Sequence, residues 1–323
     1  MPKSPKLEAL TAKLNQIRAE PTSDAGLATL TAVLSSKHSI AIAQAAKLIG
    51  KAEIHNLVPQ LLKTFDWLMA KAADRDPGCR AKAEIADCLY RLEHRDAGLF
   101  LQGMRHVQME PVWGGQVDTA PKLRGLCALG LVRMNYPDVM VALADLLADP
   151  EPEARIGAAR AIAYSENPLG VALLRLRIQV GDTPAVLGEC VAALLQLSVD
   201  NCLPLAAAFL EAGRRDSDEP KAIETAEVVA LVLGESRRPE ALPLLQTWWQ
   251  KATHPELRQS GLLAIAMLRR DEAIEWLLQL LAEAPKQHAA GALEALSLYQ
   301  NDTALWAQVR ATLEQRPELA DNS

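Results

Sequence analysis

Apolar positions in this chain recur at helical spacing in segments that open with proline. The segments PKLRGLCALGL, PEARIGAARAI, PAVLGECVAAL, PKAIETAEVVA, PELRQSGLLAI and PKQHAAGALEA begin at Pro121, Pro152, Pro184, Pro220, Pro255 and Pro285, 30 to 36 residues apart. With each proline as zero, offsets 3, 6, 7, 10 and 11 share one side of a helix. That side carries Arg124, Cys127, Ala128, Leu131 and Val132 in one copy, and Leu187, Cys190, Val191, Leu194 and Leu195 in another. An earlier copy, PGCRAKAEIAD, starts at Pro77, and a weaker one without proline starts near Lys37. Asp76, Asp118, Asp149, Asp182 and Asp218 precede the copies. An aspartate near a helix start accepts free backbone N–H groups and suits the positive helix end. Proline at the first helical position loses nothing, because that N–H has no intrahelical partner.

Between these helices lie others with their own apolar stripes, such as PDVMVALADLLA (137–148), NPLGVALLRLRI (167–178) and DEAIEWLLQLLA (271–282). No segment reads as a strand. Helix pairs that cannot bury their faces alone, repeated at this period, predict an all-α fold: a right-handed α-α superhelix, or solenoid, of about eight antiparallel pairs. The whole of 1–323 then forms one solenoid, with capping helices in 1–36 and a capping helix and frayed tail in 302–323.

The starts Pro121-x-x-Arg124, Pro152-x-x-Arg155 and Pro255-x-x-Arg258, following first helices that end in LLADPE (146–151) or similar, resemble HEAT-like repeats of the type also found in phycobilin lyase proteins. The resemblance covers about residues 24–315, although the copies near 37, 184, 220 and 285 lack the arginine. It implies that Arg80, Arg124, Arg155 and Arg258 belong to a stacked polar ladder between repeats. It also makes a helper or subunit of a bilin lyase the main alternative function.

The period breaks once. From Pro77 to Pro121 is 44 residues, and the surplus falls in MEPVWGGQVDTAPKLRG (109–125). An inserted loop is expected over 108–120, with two glycines that permit a compact backbone. Trp113 either tucks back over a helix pair or anchors a partner. His106, Glu110 and Asp118 could converge there as ligands or acid/base groups, although their spacing does not require it.

Half the residues are hydrophobic but only 4% are aromatic, so the core is aliphatic. The net charge is −6; residues 1–100 carry 14 basic and 11 acidic side chains, and the remainder 20 and 29. Offsets 1, 4, 5, 8 and 12 of the proline-led helices should face a groove. They supply Lys122, Arg133, Glu153, Arg160, Tyr164, Glu189, Gln196, Lys221, Glu224, Thr225, Glu256, Gln259 and Ser260. Both signs occur, which argues against the basic, aromatic-lined groove implied by a resemblance to HEAT-like alkylpurine DNA glycosylases. The six histidines form no HxxxH or HExxH, and no His-Glu dipeptide occurs. That counts against resemblance to deoxyhypusine hydroxylase, whose metal signature depends on such pairs. Of the adjacent Trp248 and Trp249, one is expected in the core and the other at a groove. The five cysteines show no CxxC and read as reduced core residues. No apolar run suits a signal peptide or a membrane span.

The sequence therefore predicts a cytoplasmic, non-enzymatic scaffold without cofactor or metal. It would bind a protein or peptide, and neither nucleic acid nor membrane, through Glu110, Trp113, Asp118, Arg160, Tyr164, Glu189, Gln196 and Glu224.

Overall fold

A computed structural model describes residues 5–215 and 219–322. Asp218 and the first four residues of the N-terminal cap lie outside the described residues. The chain is an all-α helical-repeat protein that divides into two compact units, Met1–Gly170 and Val171–Ser323.

In the first unit, four inner helices stack in sequence: Ser39–Lys51, Arg80–Arg91, Pro121–Arg133 and Pro152–Tyr164. Each packs against an outer helix that precedes it, namely Asp24–Leu34, Val58–Ala70, Ala97–Met104 and Val139–Leu147, and Pro5–Gln16 covers the start. The second unit stacks Pro184–Leu197, Pro220–Glu235, Pro255–Met267 and Lys286–Leu296 in the same way. Val199–Arg215, Ala241–Lys251 and Asp271–Glu283 pack on the inner helices that follow them, and Thr303–Glu314 closes the outer row. The expected core side is buried: Arg124, Cys127, Ala128, Leu131 and Val132 in one unit, and Leu187, Cys190, Val191, Leu194 and Leu195 in the other. Thr225, expected at a groove, is buried instead. Its hydroxyl donates to the Lys221 carbonyl within its own helix, so the polar group is satisfied without solvent.

The helix boundaries follow local chemistry. Pro121, Pro152, Pro184, Pro220 and Pro255 each occupy the first helical position. Asp76 accepts from the N–H groups of Ala81 and Lys82, Asp118 from Ala120, Asp149 from Glu151 and Asp182 from Thr183. Several inner helices end on a residue in the left-handed region, at Glu53, Glu93 and Asn135 among others. The next N–H then reaches back five residues, Ile54 to Ile49, His94 to Leu89 and Tyr136 to Leu131, which satisfies a terminal carbonyl. The same stop recurs because each pair must turn at the same place.

The inner helices approach closely where side chains are absent. A Cβ on Gly157 would lie 2.6 Å from the Gly125 Cα, and one on Gly234 would lie 2.4 Å from the Ala264 carbonyl oxygen. All five cysteines are buried free thiols. Burial pushes Cys79, Cys88 and Cys202 up to about 12, and Cys127 up as well. These thiols are poor nucleophiles.

Candidate functional site

The interruption between Ala97–Met104 and Pro121–Arg133 is not a loop without strands. Strand β1 (Met109–Val112) pairs antiparallel with β2 (Gly115–Asp118), in the register Met109–Asp118, Glu110–Val117, Pro111–Gln116 and Val112–Gly115. The connection is the two residues Trp113 and Gly114, and Gly114 supplies the positive φ of 85° that a turn this tight requires. Strands of four residues containing Pro and Gly carry too little alternation to be visible in the sequence.

A two-stranded ribbon alone is marginal in water. This one is fastened at its base by buried polar groups. Gln108 donates its N–H to Asp118 Oδ1 at 3.0 Å, and its side-chain amide to the Asp76 carbonyl at 2.9 Å and to Glu110 Oε1 at 2.5 Å. Glu110 Oε1 also accepts from Gly78 N–H and Thr119 Oγ1, both at 2.7 Å. Arg124, 2% exposed, reaches Asp118 at 2.6 Å, Asp149 at 2.9 Å and the His106 carbonyl at 2.9 Å.

Arg124 therefore links the hairpin base, its own helix and the start of the next repeat, as the ladder reading implies. Arg155 contributes by donating to the carbonyls of Asp149 and Pro150. Arg80 is corrected: it is exposed. Gly78 and Cys79, both at positive φ, delay the helix start to Arg80, and the fully buried Lys82 becomes the cation 3.5 Å from Asp76.

Burial by itself would raise the Asp118 carboxyl. The N–H groups of Gln108 and Ala120 and the Arg124 guanidinium outweigh it and hold Asp118 below its ordinary value. Glu110 is likewise pushed up by burial and more strongly down by Gln108, Thr119 and Gly78. Both groups bind protons more weakly in the folded chain than in the unfolded one. Their contribution to stability is thus present above the unfolded carboxylate range, about pH 4, and is lost as pH falls through the folded values. Unfolding midpoints measured across acid pH are expected to show this loss, and Asp118→Asn to reduce it. An acid limb identical in the variant would remove Asp118 from its cause.

The binding residues expected from sequence separate into two kinds. Asp118 is buried and Glu110 points its Oε1 at three donors, so both are corrected from partner contacts to supports of the hairpin. His106 faces Gln108 rather than joining them, and among the described residues no group of three or more His, Cys, Asp or Glu is placed to hold a metal ion. Trp113, by contrast, is 104% exposed and does not tuck back over a helix pair. Val112, next to it in the chain, and Val117, on the same face of the ribbon as Val112, are exposed, as are Val107 and Met109 at the hairpin's base; sequence reasoning missed these apolar positions because their strand pairing was invisible.

In the same unit Arg160 is exposed, and Tyr164 is half exposed, edge-on to Tyr90 at 6.3 Å with Arg133 over the Tyr90 ring at 4.9 Å. In the second unit Glu224 and Gln196 are exposed and Glu189 is half-buried. Trp248 and Trp249 are both buried, and Trp249 also borders a cavity.

Repeated helix pairs and a braced hairpin define the class: an α-helical repeat protein with a β-hairpin set inside one of its pairs. No protein-family model matches the chain, and no curated protein matches it. Among solved structures it is similar to human deoxyhypusine hydroxylase in complex with glycerol, at 17% identity over 83% of this chain and 92% of that chain, with a TM-score of 0.31. That protein is an enzyme, and the expectation of a non-enzymatic chain is withdrawn. The likeness assigns no active-site residue here. Among the described residues, no helix is long and apolar enough to cross a membrane.

Proposed function

We propose that this chain binds a protein or peptide partner through the 109–118 hairpin, with Trp113 as the anchor. One observation carries the reading: a tryptophan fully exposed at the tip of a hairpin whose base is fastened by buried hydrogen bonds and an ion-pair network. Leaving so large an apolar side chain in water is unfavourable, and a rigid support lowers the ordering cost when a partner covers it. Exposed Val112 and Val117 widen the contact. Arg160 and Tyr164, exposed in the same unit, offer further polar contacts to a protein surface. In this reading the chain works in the cytoplasm, where its buried thiols stay reduced.

Trp113→Ala is expected to weaken partner binding by roughly 2 kcal/mol, about 30-fold. Co-purification from the source organism with wild type and variant supplies the partner, and titration of the two folded proteins supplies the affinities. Equal affinity would overturn the reading. A bilin lyase helper, as the repeat resemblance implies, would instead give visible absorbance on co-expression with a bilin supply, and a colourless product counts against it.

A further inference from the structure

The arginine three residues after a helix-starting proline occurs in both units, and its surroundings differ. Arg124 lies between Asp118 and Asp149, which stand three residues before Pro121 and Pro152. The positions three before Pro255 and Pro285 are Ala252 and Ala282, so the copy containing Arg258 has alanine in place of both counter-ions. Arg258 Nε donates to the Ala252 carbonyl at 2.7 Å, and Nη1 lies 2.7 Å from His288 Nε2. A guanidinium only donates, so that ring nitrogen accepts, and His288 is neutral with its proton on Nδ1. Among the described residues Arg258 makes no ion pair.

This guanidinium borders a cavity of about 640 Å³, the size range of small-ligand sites. Trp249, Leu262, Trp306 and Leu313 supply apolar wall. Trp249 meets the His288 ring edge-on at 5.2 Å, and its indole N–H is buried without a hydrogen-bond partner. The lining thus offers a cation without a carboxylate, and aromatic surface. Its one acid, Glu294, accepts from Gln259 at 2.8 Å and disfavours a second negative charge on a ligand.

We propose that this cavity binds a monocarboxylate carried on an aromatic or apolar body, with Arg258 donating to the carboxylate from Nη2 and the remaining Nη1 hydrogen, since Nε and the other Nη1 hydrogen are held by the Ala252 carbonyl and His288. The site is separate from the hairpin and does not depend on the reading given for it. The ligand's source is a free organic acid or the terminal carboxylate of a peptide, and charge-assisted pairing with a guanidinium serves both.

The test is calorimetric titration of the full chain with 3-phenylpropionate and its amide, and with a short peptide ending in Phe whose terminus is free or amidated. At least one acid is expected to bind about tenfold more tightly than its amide. Binding of only the small acid names a metabolite-like source, and binding of only the free peptide names a chain terminus. No binding by either acid up to about 10 mM, or equal affinity of acid and amide, would overturn the proposal. Arg258→Gln is expected to abolish the difference between acid and amide; its persistence in the folded variant would also overturn it. Should that variant fail to fold, Trp306→Ala keeps the arginine, and affinity for the acid is expected to fall about tenfold. Unchanged affinity there would overturn the apolar wall and with it the proposal.

Discussion

Arg124→Ala is expected to destabilise the N-terminal unit by roughly 3–5 kcal/mol, the cost of removing one partner from a buried ion network. The side chain is 2% exposed and touches two aspartates and a backbone carbonyl. Its removal leaves Asp118 and Asp149 facing each other's charge without a cation. Asp118 would still accept from two N–H groups, so the loss falls on its second oxygen and on Asp149. Arg124→Lys keeps the charge but not the fork that spans both carboxylates, and is expected to fall between wild type and Arg124→Ala. Urea unfolding of the three proteins measures this. A loss below about 1 kcal/mol in Arg124→Ala would place the pair in the range of solvent-screened surface bridges and remove the network as the brace of the hairpin.

Gly157→Ala is expected to cost roughly 1–3 kcal/mol, although alanine is the better helix former. The added Cβ would meet the Gly125 Cα at 2.6 Å, and backbone cannot move aside as a flexible side-chain end can. Helix propensity favours the substitution by about 1 kcal/mol at an open site; here the contact wins because the two inner helices must separate to relieve it. Gly115→Ala is the control, since nothing lies within 4 Å of a Cβ there. Thermal unfolding of both variants decides the matter. A Gly157→Ala variant as stable as wild type would show that the helices slide apart without loss.

How much was legible in the sequence depended on the range of the signal. Pro121, Pro152, Pro184, Pro220 and Pro255 mark helix starts because proline acts on the backbone of its own turn, and all five stand at first helical positions. Leu131 and Leu194 declare their burial through a period of 3.6 residues that the neighbouring sequence displays. The hairpin did not announce itself, because four-residue strands are too short for a period and their pairing is sustained by Gln108 and Asp76 from outside them, together with Asp118 at the end of β2. Arg80 and Lys82 show the same limit. The motif pointed to Arg80, but two residues at positive φ moved the helix start, and Lys82 was turned inward.

By itself, then, the sequence determined the repeat: where helices begin and end, which side of each is apolar, and where the period is interrupted. These follow from backbone chemistry and helical spacing within one or two turns. Only the tertiary structure decided which polar groups meet. It turned Glu110 and Asp118 inward, held Trp113 out in water, and brought Trp249, Arg258, His288 and Trp306 to one cavity from separate helices. A buried charge or donor takes whichever partner the stacked helices deliver, and that choice is made across repeats rather than along the chain.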